Sequence, residues 1–364
     1  MKLVHRYLLR HLVQPWFYVL SGFFIIGILV DLFDNFVEFM EAETPATDIL
    51  LYYGRLLPTY LPYMLPISLL LALLYALWQL GKNSELTAMR ACGLSLAQLI
   101  APYLAVGLAA SFFLLGINEY FNPDASYKNR QFKLRLNRRN AAAGYLQSNL
   151  AYKNVQGHRT WRVNFFDPQP PSYEMRGINL TQQRPDGSDE YRLDAARALW
   201  LDGHWWFENI ETRFYDSDNA PLGPVTNSPS QEMTMLSETP ADFINEIKDS
   251  SERSSRAILQ FIATHQGISK ETRNRLLVDF HYRLAAPWLC LIVVLVGVPF
   301  GMHTGRRGMG LGILFALLAF FGYYVLMGLG LAYGKNQIIS PVLAGWAPGL
   351  VFLILGLVLL RRMR

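Results

Sequence analysis

The chain has 364 residues, of which 52% are hydrophobic and 17% charged, with a formal net charge of +5. That is too apolar for an ordinary soluble chain and too polar for one made of membrane helices alone, so spans joined to a soluble module are expected. The basic surplus sits mostly at the ends of apolar runs, which reads as orientation signals and not as a nucleic-acid surface, and the two cysteines, Cys92 and Cys290, do not make a disulfide framework.

Lys2, Arg6 and Arg10 precede the first apolar run, residues 12–37, which is long enough to cross a bilayer with tilt. The run lacks a small-residue cleavage site, so a cleaved signal is not expected. Asp31, Asp34 and Glu38 fall near its far end, at or just inside the interface. The second run, residues 56–80, holds Pro58, Pro62 and Pro66 four residues apart. At that spacing the prolines lie close to one face and remove three backbone donors. The entry half is therefore expected to be kinked or non-helical, either as plain packed kinks or as a moving gate.

A polar interruption follows at residues 82–95, KNSELTAMRACGLS. Ser84 can cap a helix there, Leu86, Met89 and Ala97 recur at helical spacing, and Gly93 is a natural break. Glu85 stands in the first turn and Arg90 nearer the end, the order that the helix dipole favours. Two readings stand side by side: an ordinary interhelical loop with a helical turn, or an amphipathic surface helix that receives a push from a soluble partner.

The third run covers residues 96–120, and then the character changes for roughly 150 residues. Just after it come Lys128, Arg130, Lys133, Arg135, Arg138 and Arg139, with no acidic residue between Asp124 and Asp167. This cluster suits either lipid phosphate or a plain solvated face. Residues 151–166, 176–184, 191–200 and 205–215 read as strands, divided by Pro185-Asp186-Gly187 and Asp202-Gly203 turns, and imply an antiparallel sandwich or jelly roll. Leu193, Ala195, Trp205 and Phe207 alternate as an inner face requires, which serves acyl chains or a filled core equally well. A polar helical connector is expected over residues 240–275. Three more apolar runs, residues 280–300, 308–333 and 338–360, close the chain.

Basic residues orient these six runs. Lys2, Arg6, Arg10, Lys82, Arg90, Arg306, Arg307, Arg361, Arg362 and Arg364 share one side, against Arg55 and Lys335 in short loops on the other. Both termini are therefore expected in the cytoplasm and the β module outside. Catalytic constellations are not evident. GLGLAYGKN at residues 328–336 lacks the phosphate-loop spacing and reads as close packing and a turn. His158, His204, His265 and His281 are scattered, as packed or surface histidines are, and no metal or cofactor is called for. Gly297/Gly301 and Gly345/Gly349, four apart, are expected to let helices approach closely.

SELTAMRACGLS after a proline-marked second run, together with RLAAPWLCLIVVLVGVPFG at residues 283–301 and the three-plus-three spans around a β module, resembles the lipopolysaccharide export permeases, the LptF/LptG (YjgP/YjgQ-like) family. VDLFDNF and the closing LAYGKNQIISPVLAGWAPGLVFLILGLVLLRR look more like LptG, although LptG-type first spans often carry a lysine where this chain has Asp31. The resemblance implies an α-helical membrane protein with six transmembrane helices and an all-β periplasmic jelly-roll domain inserted between helices 3 and 4. Residues 1–125 would hold helices 1–3 with a cytoplasmic coupling helix at 83–93, residues 126–265 the β domain, and residues 266–364 the connector and helices 4–6.

It also implies a bacterial inner-membrane, non-catalytic subunit. Its partners would be a paralogous LptF-like permease, a separate LptB-like ATPase dimer, LptC/LptA-like β-jelly-roll bridge proteins and lipopolysaccharide, with no nucleic acid. Ser84, Glu85, Leu86, Met89, Arg90 and Gly93 match the coupling helix, with Glu85 as its acidic contact. Lys128, Arg130, Lys133, Arg135, Leu193, Trp205 and Phe207 are the candidate lipid residues, and Asp31, Asp34, Pro58, Pro62 and Pro66 the candidate gate. The alternative is a subunit that transmits ATPase work to some other periplasmic task. An ion-coupled carrier ranks last, because Asp31, Asp34 and Glu119 lie toward run ends.

Overall fold

The structure, a computed structural model, describes residues 2–140, 147–154, 157–168, 172–248, 252–264, 270–302 and 309–363. Arg306, Arg307, His265 and Arg364 fall outside these, and the side chains of Arg135, Arg138 and Arg139 are likewise outside the description. Two compact units emerge: one of residues 1–133, 250–258 and 269–364, the other of residues 134–249 and 259–268.

In the first unit, α1 (Lys2–Glu41) and α2 (Ala46–Lys82) are followed by the short α3 (Glu85–Ala91) and then α4 (Leu96–Gly116). A π-helical turn over Ile117–Phe121 leads into α5 (Asn122–Asn140). After the β domain come α6 (Pro240–Ile247), α7 (Ser255–Thr264), α8 (Lys270–Ala285), a 3-10 turn and α9 (Leu289–Met302), then α10 (Met309–Lys335) and α11 (Pro341–Arg362). Among the described residues six helical stretches are long and apolar enough to cross a membrane. Their boundaries correct two expectations. α2 is helical throughout, with Pro58, Pro62 and Pro66 all inside it, so its entry half is not non-helical. Helix also continues past the third apolar run, through a π turn into α5, so residues 122–140 are helical where no element was expected.

Small residues set the close approaches. A Cβ on Gly297 would lie 2.9 Å from Leu70 of α2, and one on Gly301 would lie 2.6 Å from Leu77, so α9 seats on α2 as the spacing predicts. A Cβ on Gly345 of α11 would lie 2.8 Å from the backbone of His281, whereas one on Gly349 would make only an ordinary 3.7 Å contact to Ile292. Gly334 packs on Ala344 and Val278, and α10 ends one residue later, in keeping with a packing role for GLGLAYGKN.

The second unit carries six antiparallel strands: β1 (Gln147–Asn154), β2 (Arg159–Phe166), β3 (Met175–Gln183), β4 (Asp189–Leu201), β5 (His204–Tyr215) and β6 (Pro221–Met233). They form one sheet whose spatial order is the chain order. The stretch expected as one strand over residues 151–166 is two, turning at Gly157-His158, and β6 is additional. One transverse row interrupts every inner ladder. Asn164 faces Gly177 between the Val163↔Ile178 and Phe165↔Arg176 pairs, and Ala196 faces Asn209 between Ala195↔Ile210 and Arg197↔Glu208. Gly177 and Asn209 have φ of +63° and +52° there. Along this row each of β2–β5 turns two consecutive residues away from the core, so all four shift parity together and the register survives.

The core lies on the sheet's other face, where Trp161, Phe166, Trp205 and Phe207 are fully buried around Phe243 of α6. Trp205 Nε1 donates to the Glu238 carbonyl at 2.7 Å, and Glu238 pairs with buried Arg159 at 3.2 Å. Across β3 and β4, Arg176 and Arg197 both grip Glu174, at 2.7 and 3.0 Å. Burial pushes the Glu174 carboxyl up, but the two guanidinium groups outweigh it and hold the group below its usual range.

Candidate functional site

The interruption between α2 and α4 folds as a seven-residue helix. Ser84 occupies its N-cap position but in the left-handed region, φ 59°, and its side chain caps nothing, which corrects the expected cap. The orphan charge of the first turn is handled differently. Tyr7 of α1 donates its hydroxyl to Glu85 at 2.6 Å, and the Asn83 amide donates at 3.1 Å. These two bonds, the Tyr7 hydroxyl foremost, favour the ionised carboxylate and hold Glu85 below the ordinary carboxyl range.

The far end of α3 closes as expected. Gly93, at φ +88°, donates to the Arg90 carbonyl and Leu94 to that of Met89, the paired bonds of a Schellman stop. Ser95 then caps α4 reciprocally with Gln98, a signal available in the sequence as S-x-x-Q. Leu86 and Met89 pack on the helical core, while Thr87, Ala88, Arg90 and Cys92 are exposed. The helix is thus amphipathic, with one face on its own bundle and the other open. Ala97 belongs to α4 instead.

At the opposite end of α1, Asp31 accepts from Tyr52 at 3.2 Å and lies 3.6 Å from Lys133 Nζ, whose ammonium also stands 5.7 Å from the Tyr52 ring centre. Asp34 is exposed and Pro66 is buried, with Pro58 and Pro62 half-buried. Among the described side chains after the third span, three cations are answered within the same unit: Lys128 by Asp124 at 2.6 Å, Arg130 by the buried Glu252 at 2.7 Å, Lys133 by Asp31. For Arg130 and Lys133 the charge that looks unbalanced along the sequence is met in space by Glu252 and Asp31. In the β domain, Leu193, Ala195, Trp205 and Phe207 are brought together on the buried face. The opposite face carries an open polar basin of about 850 Å³ bordered by Arg162, Asn164, Asn179, Asp194 and Glu211.

Sequence reasoning did not single out Tyr7, Asn118, Asp279 or Arg283. A charged pair entering an apolar run, Asp279 and Arg283 ahead of residues 284–302, was the available signal for two of them. His158 and His204 lie on separate turns and strands, and no group of metal-binding side chains occurs among the described residues.

The fold and these sites can be set beside known proteins. The lipopolysaccharide export system permease protein LptF of Escherichia coli (strain K12) is 21% identical over 373 residues, covering 98% of this chain and 94% of the relative. LptF of Shigella flexneri matches to the same 21% over the same 373 residues. The family model described as lipopolysaccharide export system permease LptF/LptG matches residues 6–362, nearly the whole chain, and the chain belongs to that family.

Proposed function

We propose that the chain is a permease subunit of an ABC exporter that extracts lipopolysaccharide from the bacterial inner membrane and passes it toward a periplasmic bridge. The observation that carries this reading is α3. It sits between two spans, rests Leu86 and Met89 on the bundle and leaves its other face open, as a docking helix for a separate ATPase needs. A paralogous permease would complete the transporter, and the apolar faces of α1, α10 and α11 that are exposed in the single chain suit lipid or that partner. With both termini cytoplasmic, residues 126–265 would act as the periplasmic module and hand lipid to β-jelly-roll bridge proteins. Relatives named LptF match this chain, while its first-span ending and closing span lean toward LptG.

In this reading Asp31, Asp34 and the proline face of α2 serve the gate. Lys128, Arg130 and Lys133 meet lipid phosphates by exchanging a protein carboxylate for a phosphate, Arg135 adds a further cation to that group, and Leu193, Trp205 and Phe207 meet acyl chains. The decisive test is Glu85→Lys in the full chain co-expressed with its partner permease and ATPase. Reversing the charge is expected to abolish both ATPase co-purification and ATP-driven release of lipopolysaccharide from proteoliposomes, because a desolvated interfacial charge left unpaired costs several kcal/mol, roughly 2–5. Normal assembly and release in that variant would sink the assignment. ATPase coupling without lipid release in the unaltered complex would favour a transmitter of work to another periplasmic task.

A further inference from the structure

Glu85 has a partner inside its own chain that docking alone does not require. α3 follows α2 after only Asn83 and Ser84, and the Ser84 side chain caps nothing. The junction supplies one polar bond of its own, from the Asn83 amide to Glu85 Oε1 at 3.1 Å. Leu86 and Met89 seat α3 on the bundle by apolar contact, which is non-directional. Among the described residues one side-chain hydrogen bond joins α3 to another helix. The Tyr7 hydroxyl of α1 donates to Glu85 Oε2 at 2.6 Å, across 78 residues of sequence.

Tyr7 is well suited to orient a carboxylate. Its ring lies against His11, one turn further along α1, with ring centroids 4.4 Å apart. A phenol carries its donor at the tip of a rigid ring, so holding the ring places the hydroxyl at little entropic cost. The bond to Glu85 is short and charge-assisted. Yet Tyr7 is 39% exposed, so solvent screens the bond and it adds little to the stability of the fold. What the bond does is orient. A carboxylate offers about four lone-pair sites, and Tyr7 and Asn83 engage one oxygen each. Glu85 is therefore held in place while it keeps acceptor capacity for a cation on a partner.

We propose that Tyr7 is a positioning residue for ATPase docking: its hydroxyl fixes the Glu85 carboxylate in advance of association and ties α3 to the first span. The inference rests on the reading of α3 as the helix that docks on the ATPase. Fixing an interfacial charge beforehand removes an ordering cost from association. Loss of the hydroxyl therefore weakens docking even though Glu85 itself is still present.

Tyr7→Phe tests this, because it removes the hydroxyl and keeps the ring against His11. The full chain, assembled with its partner permease in detergent, is titrated with the fluorescently labelled ATPase. The dissociation constant should rise about three- to tenfold, as expected for one charge-assisted hydrogen bond lost at a partly exposed site. The thermal midpoint of the permease pair should move by less than about 2 °C. The Tyr7 donor also holds the Glu85 carboxyl below its usual range, with His11 the other titrating group that acts on it. Without the hydroxyl that carboxyl rises, so on acidification the variant should begin to lose affinity at a higher pH than the unaltered chain. In a Glu85→Gln background Tyr7→Phe should shift neither the affinity nor its acid limb further, since its effect runs through the carboxylate. Unchanged affinity in Tyr7→Phe, or losses that simply add in the double variant, overturns the proposal and leaves α3 as the docking helix. A lowered thermal midpoint with full affinity would make Tyr7 a structural strut and overturn it too. Failure of the unaltered complex to bind the ATPase would sink the docking reading itself, and the proposal with it.

Discussion

Lys133 carries a charge that its own stretch of sequence leaves unanswered, and Asp31, far earlier on α1, answers it at 3.6 Å. Magnitude decides how to read this pair. Lys133 is 43% exposed and Asp31 12%, so solvent screens the lysine end. A coupling of about 0.2–1 kcal/mol follows for such pairs, too little to hold the unit together. A double-mutant cycle of Asp31→Asn and Lys133→Gln, read as thermal unfolding in detergent, is therefore expected to give a coupling below about 1 kcal/mol. A coupling of several kcal/mol would make the pair a structural clasp instead. Under the first outcome, loss of lipid loading in Lys133→Glu reports on the lipid and not on folding. Glu85 is a different case: half-buried and held by Tyr7, it ties α3 to the first span before any partner arrives.

Among the elements, α11 separates two glycines that look alike in sequence. A Cβ on Gly345 would meet the carbonyl carbon of His281 at 2.8 Å and the Tyr282 nitrogen at 2.9 Å, main-chain atoms of α8 that cannot swing aside. Gly349 faces only the end of the Ile292 side chain at 3.7 Å. Gly345→Ala should thus lower stability by about 1–3 kcal/mol through overpacking. Gly349→Ala should be neutral or mildly stabilising, since alanine is favoured over glycine within a helix by up to about 1 kcal/mol. Thermal midpoints of the two variants in the same detergent check this, and an equal effect at both positions would contradict the packing described. The helicity of α2 has a similar local logic. Prolines four apart align their missing donors on one face, and the rest of the helix keeps its ladder.

For the molecule as a whole, the proposed lipid role of the β module meets an apolar face that is already occupied. Trp161, Trp205, Phe207 and Phe243 fill it in the single chain, the last from α6 and not from the sheet. Acyl chains could enter only if α6 gave way. Photo-crosslinkers at Leu193 and Phe207 on the core face, and at Asp194 on the basin face, distinguish the possibilities. The expected outcome is lipid adducts at Leu193 and Phe207 only while the assembled exporter turns over ATP, with none at Asp194. Adducts at neither face under turnover would leave an ordinary filled core.

Composition and period were sufficient for the six spans, the antiparallel β module between them, and the amphipathic α3 with its Gly93 stop, because each is encoded by neighbours in the chain. Two elements escaped for the same reason in reverse. α5, NPDASYKNRQFKLRLNRRN, is a largely polar continuation of a span and lacks a strong apolar stripe. β6, PLGPVTNSPSQEM, is almost wholly exposed at the sheet's edge, where prolines are tolerated and no alternation is required. The tertiary structure alone decided which charges meet: Tyr7 with Glu85, Asp31 with Lys133, Glu252 with Arg130, and Asp279 with Lys335. Those partners are far apart in the chain, and a side chain's charge names the sign of its partner but not its address.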